Sequence, residues 1–225
     1  MTRVAVYIDG HNVHSCIKRW QAHAHECLKW LDYWKFCRKV VSDAALGIAS
    51  PKILVAVNYY TALPVDDQAR KARHEMFIKA VEECAAAAGG VVRTVKGFYR
   101  VVRDGESCTH CGHTWPSRKE KQSDTALCVE LLDDAYQDAY DCAVVLTQDS
   151  DMAPAMAMVI KRFPNKRVVT AYPPLTGRNT RNHHLEIASH TSIRTTGIIR
   201  ACQMPDPVVC ADNTQLHCPE VWVLP

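Results

Sequence analysis

Several things are missing from this chain. No stretch of its 225 residues approaches the ~18 consecutive apolar residues that a membrane-spanning helix needs, so no membrane association is expected. Charge of one sign is not in large excess. The 27 Lys and Arg against 24 Asp and Glu leave a net +3, too balanced for a histone-like or polybasic protein. The opening MTRVAVYIDG reaches an Asp too soon for the apolar core of a secretory leader. Repeats and low-complexity tracts are absent apart from the alanines at 85–88. What remains is ordinary for a soluble globular protein, with 48% hydrophobic and 23% charged residues. At about 150 residues per domain, the length suits one large domain, alone or with an embellishment.

Cysteine, by contrast, is plentiful. There are 11, an odd number, spread from Cys16 to Cys218 with one close pair, Cys108 and Cys111. A secreted disulfide framework is usually shorter and even in count. Most of these thiols fall at apolar positions of regular patterns, where cysteine packs as a small hydrophobe. A reducing, cytoplasmic setting is the expectation.

Short apolar runs at 4–8, 52–60, 91–102, 142–147 and 167–172 read as strands buried on both faces. Helical patterns separate them at 28–46, 66–88, 125–139 and 152–163, with another helical segment around 183–189. Such alternation predicts an α/β fold, a mostly parallel central sheet covered by helices on both sides. Residues 1–200 read as the domain, 103–119 as a polar insertion, and 201–225 as a tail wrapped over it.

In open α/β sheets, ligands bind beyond the carboxyl ends of the strands, and here those ends are acidic. The first strand ends in Asp9, followed by Asn12 in D-G-H-N, and the fourth in T-Q-D-S-D with Asp149 and Asp151. In an extended segment these two carboxylates would point the same way. Asp124 opens the helix before that strand. Each position has a local alternative: Asp149, Asp151, Asp124 and Asn12 as helix caps, Asp9-Gly10 as a turn. Gathered carboxylates repel one another unless a cation sits among them. Oxygen ligands suit Mg²⁺ or Mn²⁺, and such a site supports phosphodiester hydrolysis.

These residues resemble the NYN domain family, in its LabA-like branch of the PIN-like nuclease superfamily. The similarity is carried by V-Y-I-D-G-H-N at 6–12, E-K-Q-S-D at 120–124, D-A-Y-x-D-A-Y-D at 134–141 and V-L-T-Q-D-S-D at 145–151. It continues through F-P-N-K-R-V-V at 163–169, Y-P-P at 172–174, and M-P-D-P-V and P-E-V-W in the tail. The resemblance implies a three-layer α/β/α fold and a Mg²⁺- or Mn²⁺-dependent ribonuclease. Asp9, Asp124, Asp149 and Asp151 would then be metal ligands and catalytic residues, with Asn12 beside them. Two departures stand out: Thr147-Gln148 where members commonly have a small residue before D-S-D, and Ser123 for the usual Thr.

Substrate contacts are expected from Arg118 and Lys121, which adjoin Asp124, and from Ser150. Further cations cluster at Arg70, Lys71 and Arg73, on the third strand, and at Arg178 and Arg181. Trp115 is the best candidate for stacking on an unpaired base, whereas Tyr59, Tyr60, Phe98 and Tyr99 read mainly as core. His11 and His14 flank Asn12, and the other histidines read as solvated. Cys108 and Cys111 look like half of a zinc ribbon. The remaining ligands would come from His110, His113, Cys202, Cys210, His217, Cys218 or a partner chain; a metal-free hairpin or a labile thiol pair is the alternative. The partner expected is RNA, single-stranded or looped, with a homodimer in view. Competing functions are a DNA or nucleotide phosphohydrolase using the same carboxylates, and a non-catalytic RNA-binding or assembly module.

Overall fold

A computed structural model describes residues 1–65, 67–174 and 181–223, with the backbone alone at 23–24, 100–106 and 115–120. The described residues form a seven-stranded sheet in the order β4-β3-β2-β1-β5-β6-β7. Its strands are β1 (Thr2–Asp9), β2 (Lys52–Leu63), β3 (Arg93–Ser107), β4 (Thr114–Lys121), β5 (Cys142–Leu146), β6 (Arg167–Tyr172) and β7 (Thr191–Arg194). All neighbours are parallel except β3 and β4. The helices are α1 (Gly10–Ala24), α2 (Tyr33–Ser42), α3 (Gln68–Ala87), α4 (Ser123–Tyr136), α5 (Ala153–Arg162), α6 (His183–Ile187) and α7 (Thr196–Arg200). None of the described helices is long and apolar enough to cross a membrane.

Strand β1 shows why both faces must be covered. Val4, Val6 and Ile8 belong to one core cluster with residues of α1, α2 and α3, while Ala5 and Tyr7 belong to a second with residues of α4 and α5. Period-two alternation thus feeds two apolar layers, as a doubly covered strand requires. From β1 the chain builds outward through β2 and β3 on one side and β5, β6 and β7 on the other. The reversal of strand order therefore falls between β1 and β5, where α/β sheets open a crevice for ligands.

Three sequence expectations need correction. The segment 28–46 is not one helix, because the Asp32 side chain accepts from the Lys35 N–H (2.9 Å) and starts α2 at Tyr33. Leu28 and Leu31 remain buried in the preceding loop. Helix α1 precedes that loop, burying Val13, Cys16 and Ile17 amid histidines and cations that mask its apolar stripe. The segment 103–119 extends the sheet as the β3–β4 hairpin rather than forming a separate insertion, leaving 108–113 as its turn.

The tail carries a short hairpin, β8 (Val208–Val209) paired with β9 (Gln215–Leu216). Cys202, Met204, Val208, Cys210 and Leu216 of this tail pack into the first core cluster.

Candidate active site

Asp9 is only 4% exposed, and both of its oxygens are engaged. One accepts the Asn12 backbone N–H (3.0 Å), making Asp9 the N-cap of α1, and the other accepts the Thr147 hydroxyl (2.7 Å). Thr147 follows β5, and its hydroxyl oxygen accepts from the Asp149 N–H (3.0 Å). The Asn12 side-chain carbonyl accepts from the Gln148 N–H (2.8 Å). Asn12 is therefore not the helix cap; it ties the end of β1 to the loop after β5. Gly10 is required here, since a β-carbon would run into the Tyr59 ring and the Tyr60 carbonyl.

Asp149 does act as a cap, accepting from the Asp151 N–H (3.0 Å). That bond folds Ser150–Met152 into a 3-10 turn, so 149–151 is not extended as the sequence suggested. Asp124 arrives on α4, which packs on the same face of the sheet as α5. Its helix starts at Gln122, which adopts a left-handed conformation (φ 79°) without a side-chain cap bond. Asp124 lies in the first turn and is not the cap. The turn from β4 into α4 crosses β3 at Gly97, where a β-carbon would come within 2.5 Å of the Lys121 carbonyl oxygen.

The electrostatics register how near these groups are. Burial raises the Asp9 pKa to about 6, with the charges of Asp124 and Asp149 adding to the rise. Asp124 is raised first by burial, then by Asp149 and Asp151. The thiol of Cys128, one helical turn beyond Asp124, is pushed up to about 11 by burial and by Asp124, Asp151, Asp9 and Asp149 together. Among the described residues none of the four carboxylates is in an ion pair, and no three His, Cys, Asp or Glu side chains close on a common point as metal ligands would. Among the described residues the rim is thus a negative site without an ion-pair partner, its carboxylates not drawn in to ligand distance.

His11 is exposed at the rim and meets the Tyr99 hydroxyl through Nδ1 (3.3 Å). Desolvation lowers its pKa and Asp124 opposes that. Lys121 is exposed at the end of β4 and Ser150 half-buried in the 3-10 turn. The side chains of Arg118 and Trp115, and the whole of Arg178, lie outside the described residues. Tyr59 and Tyr60 are core residues, but Phe98 is 46% exposed. Thr147 is the contributor that sequence reasoning undervalued; its place between β5 and the acidic pair was the available signal.

At the hairpin tip, the Cys108 N–H bonds to the His113 carbonyl (2.8 Å) and the Gly112 N–H to the Cys108 carbonyl (2.9 Å). The Cys111 and His110 N–H groups, then the Cys111 thiol, lower the Cys108 pKa. The expected tail ligands are engaged elsewhere. Cys202 and Cys210 are buried in the core, His217 Nδ1 pairs with Asp206 (3.2 Å), and the Cys218 thiol meets that of Cys27. No described third ligand joins the pair.

The NYN domain family model matches residues 3–186. The chain belongs to that family. Its matched span takes in the whole rim, from Asp9 to Asp151. A relative from Pseudomonas putida, 6-hydroxy-3-succinoylpyridine 3-monooxygenase, is 25% identical over 233 aligned positions, covering 90% of this chain and 70% of the relative. A Vibrio parahaemolyticus protein of unknown function shares the fold at a TM-score of 0.52 and 17% identity, over 88% of this chain and 94% of that one. NYN domains are nuclease-like, and a hydrolase acting on nucleic acid is the general class this membership supports.

Proposed function

We propose that this NYN domain is a metal-dependent ribonuclease that hydrolyses RNA phosphodiester bonds. The observation that carries the reading is the uncompensated carboxylate rim at the strand-order reversal: Asp9, Asp124, Asp149 and Asp151 all act on the same thiol, with no described cation among them. Hard oxygen donors without a counter-charge fit Mg²⁺ or Mn²⁺. Asp9, Asp124, Asp149 and Asp151 would hold it. Bound there, such an ion would supply Lewis-acid polarisation of a phosphoryl oxygen and a more acidic water.

The chain's own groups have separate tasks. Thr147 and the Asn12 N–H fix the Asp9 carboxylate in one orientation. The Asn12 side chain holds the loop that carries Asp149. Lys121, Arg118 and Ser150 contact the phosphates flanking the scissile bond. RNA as the substrate, a cytoplasmic setting and a homodimer are parts of the proposal that rest on family likeness and composition. A structural zinc at Cys108 and Cys111 would take its further ligands from His110, His113 or a second chain.

The name of the Pseudomonas relative offers a second reading, oxygen insertion into a small hydroxypyridine. A cation-lined cleft beside the rim, lined by Arg70 and Arg73 among others, is the feature that favours it. Incubating the protein with labelled RNA or DNA, with Mn²⁺ or with EDTA, tests the first reading. Mn²⁺-dependent cleavage of RNA that Asp149→Asn abolishes is expected. Identical behaviour of wild type and variant on every substrate overturns it. Cleavage of DNA alone transfers the activity to the related phosphohydrolase.

A further inference from the structure

The cleft beside the rim has a volume of about 280 Å³ and charge opposite to that of its neighbour. His11 belongs to both. Thr61 and Ala62 at the carboxyl end of β2, α1, the first turns of α3 and the tail at Val221–Trp222 line it. Trp222 is anchored there: its carbonyl accepts from Gln21 Nε2 (2.7 Å), and its ring packs edge-on to Phe77 at 5.6 Å. Lys18, Lys29, Arg70 and Arg73 all line this small space. Among the described residues none of the four is in an ion pair. Their crowding is felt locally. Burial, then Lys29, pushes the His14 pKa down to about 4, and burial, then Arg70, does the same to His74.

We infer that this cleft grips a terminal phosphomonoester of the nucleic-acid strand while the adjoining carboxylates face the bond to be cut. The inference rests on the nuclease reading and names its substrate class. Three features choose a strand end over a through-running backbone. A phosphomonoester carries close to two charges near neutral pH, more than a diester does, which suits four cations with no ion-pair partner among the described residues. The volume is at the bottom of the range for small-molecule sites, roughly 300–1,000 Å³, enough for a phosphate with little beyond its sugar. The tail lines one side at Val221–Trp222, which narrows the room for a strand that runs through. Arg70 and Arg73 supply forked donors for phosphate oxygens, and neutral His14 and His74 can each donate one further N–H.

The test is binding without cleavage. The Asp149→Asn protein, in EDTA, is titrated with one short single-stranded RNA carrying a 5′-phosphate, a 3′-phosphate or hydroxyls at both ends, read by fluorescence anisotropy. One phosphorylated form is expected to bind at least about tenfold tighter than the hydroxyl form, the worth of one charge-assisted hydrogen bond. Adding Arg70→Gln/Arg73→Gln should erase that ratio while the melting curve stays in place; Arg70→Gln alone, at an exposed position, is the fallback if the pair unfolds. Equal binding of all three RNAs, a ratio that survives the substitutions, or stronger competition by succinate than by a nucleoside monophosphate overturns the inference. Mn²⁺-dependent cleavage by wild type without any end effect sinks the cleft alone. End-phosphate binding without cleavage sinks the nuclease reading and leaves the cleft standing.

Discussion

The two edges of the same sheet hold aspartates in opposite states. At the amino ends of β1 and β5, Asp138 and Asp141 are surrounded by cations. Arg3 reaches Asp141 Oδ1 (2.7 Å) and Asp138 Oδ2 (2.9 Å), and Lys166 reaches Asp138 Oδ1 (2.6 Å). The Arg3 guanidinium holds Asp141 down to about 2, and Lys166 and Arg3 hold Asp138 below its ordinary value. At the carboxyl ends, Asp9 and Asp124 are raised and no described cation answers them. Compensated charge fastens the fold, whereas uncompensated charge is retained at a cost in stability and marks where a cation would bind.

The largest effect expected is on activity. Asp149→Asn should lower Mn²⁺-dependent RNA cleavage by at least about a hundredfold, more than loss of a group supporting a metal ligand costs. Single-turnover rates measure it, and a variant within a factor of two of wild type would erase the distinction between the edges.

Next comes stability at the rim. Asp9 rises from 3.8 to about 6 on folding, so the folded state holds the proton more tightly. Its contribution to stability is greatest below pH 3.8 and falls as pH climbs towards 6. Asp9→Asn should therefore raise stability at pH 7, by up to about 3 kcal/mol. Mn²⁺ should raise the melting temperature of wild type but not of this variant. Denaturant curves with and without the ion check both.

At the opposite edge the sign reverses. Lys166→Met leaves the Tyr140 carbonyl without its 2.6 Å donor; about 1–3 kcal/mol should be lost, or some 2–4 °C of melting temperature per kcal/mol. The smallest effect is Asp141→Asn. The Asp141 carboxylate is 38% exposed, so solvent screens its pair and the loss at pH 7 should stay within about 1 kcal/mol. That contribution is present above pH 3.8 and lost as pH falls towards 2. Stability measured from pH 2 to 7 should thus show opposite slopes in Asp9→Asn and Asp141→Asn relative to wild type.

Much of this was legible beforehand. Short apolar runs announced β1, β2, β5 and β6, the first of them closed by Asp9-Gly10, and the D-G-H-N and D-S-D segments announced the rim. Helix α1 and strand β7 were not, because α1 carries its apolar stripe among polar residues and β7 spans only four residues. Asp149 and Asp124 looked interchangeable as caps, yet only Asp149 is one. Capping depends on which N–H a carboxylate meets, a matter of turn geometry rather than residue type.

The order of residues by itself settled the α/β layering, the acidic character of the strand ends and the family. Alternation and periodicity act over a few residues, and motifs are read one segment at a time. Only the folded chain decided that Thr147 and Asn12 lace β1 to the β5 loop, that Asp138 and Asp141 are neutralised while Asp9 is not, and that α1, α3 and the tail enclose a basic cleft beside an acidic rim. Those outcomes depend on which charges meet across more than a hundred residues of chain, a distance no local pattern encodes.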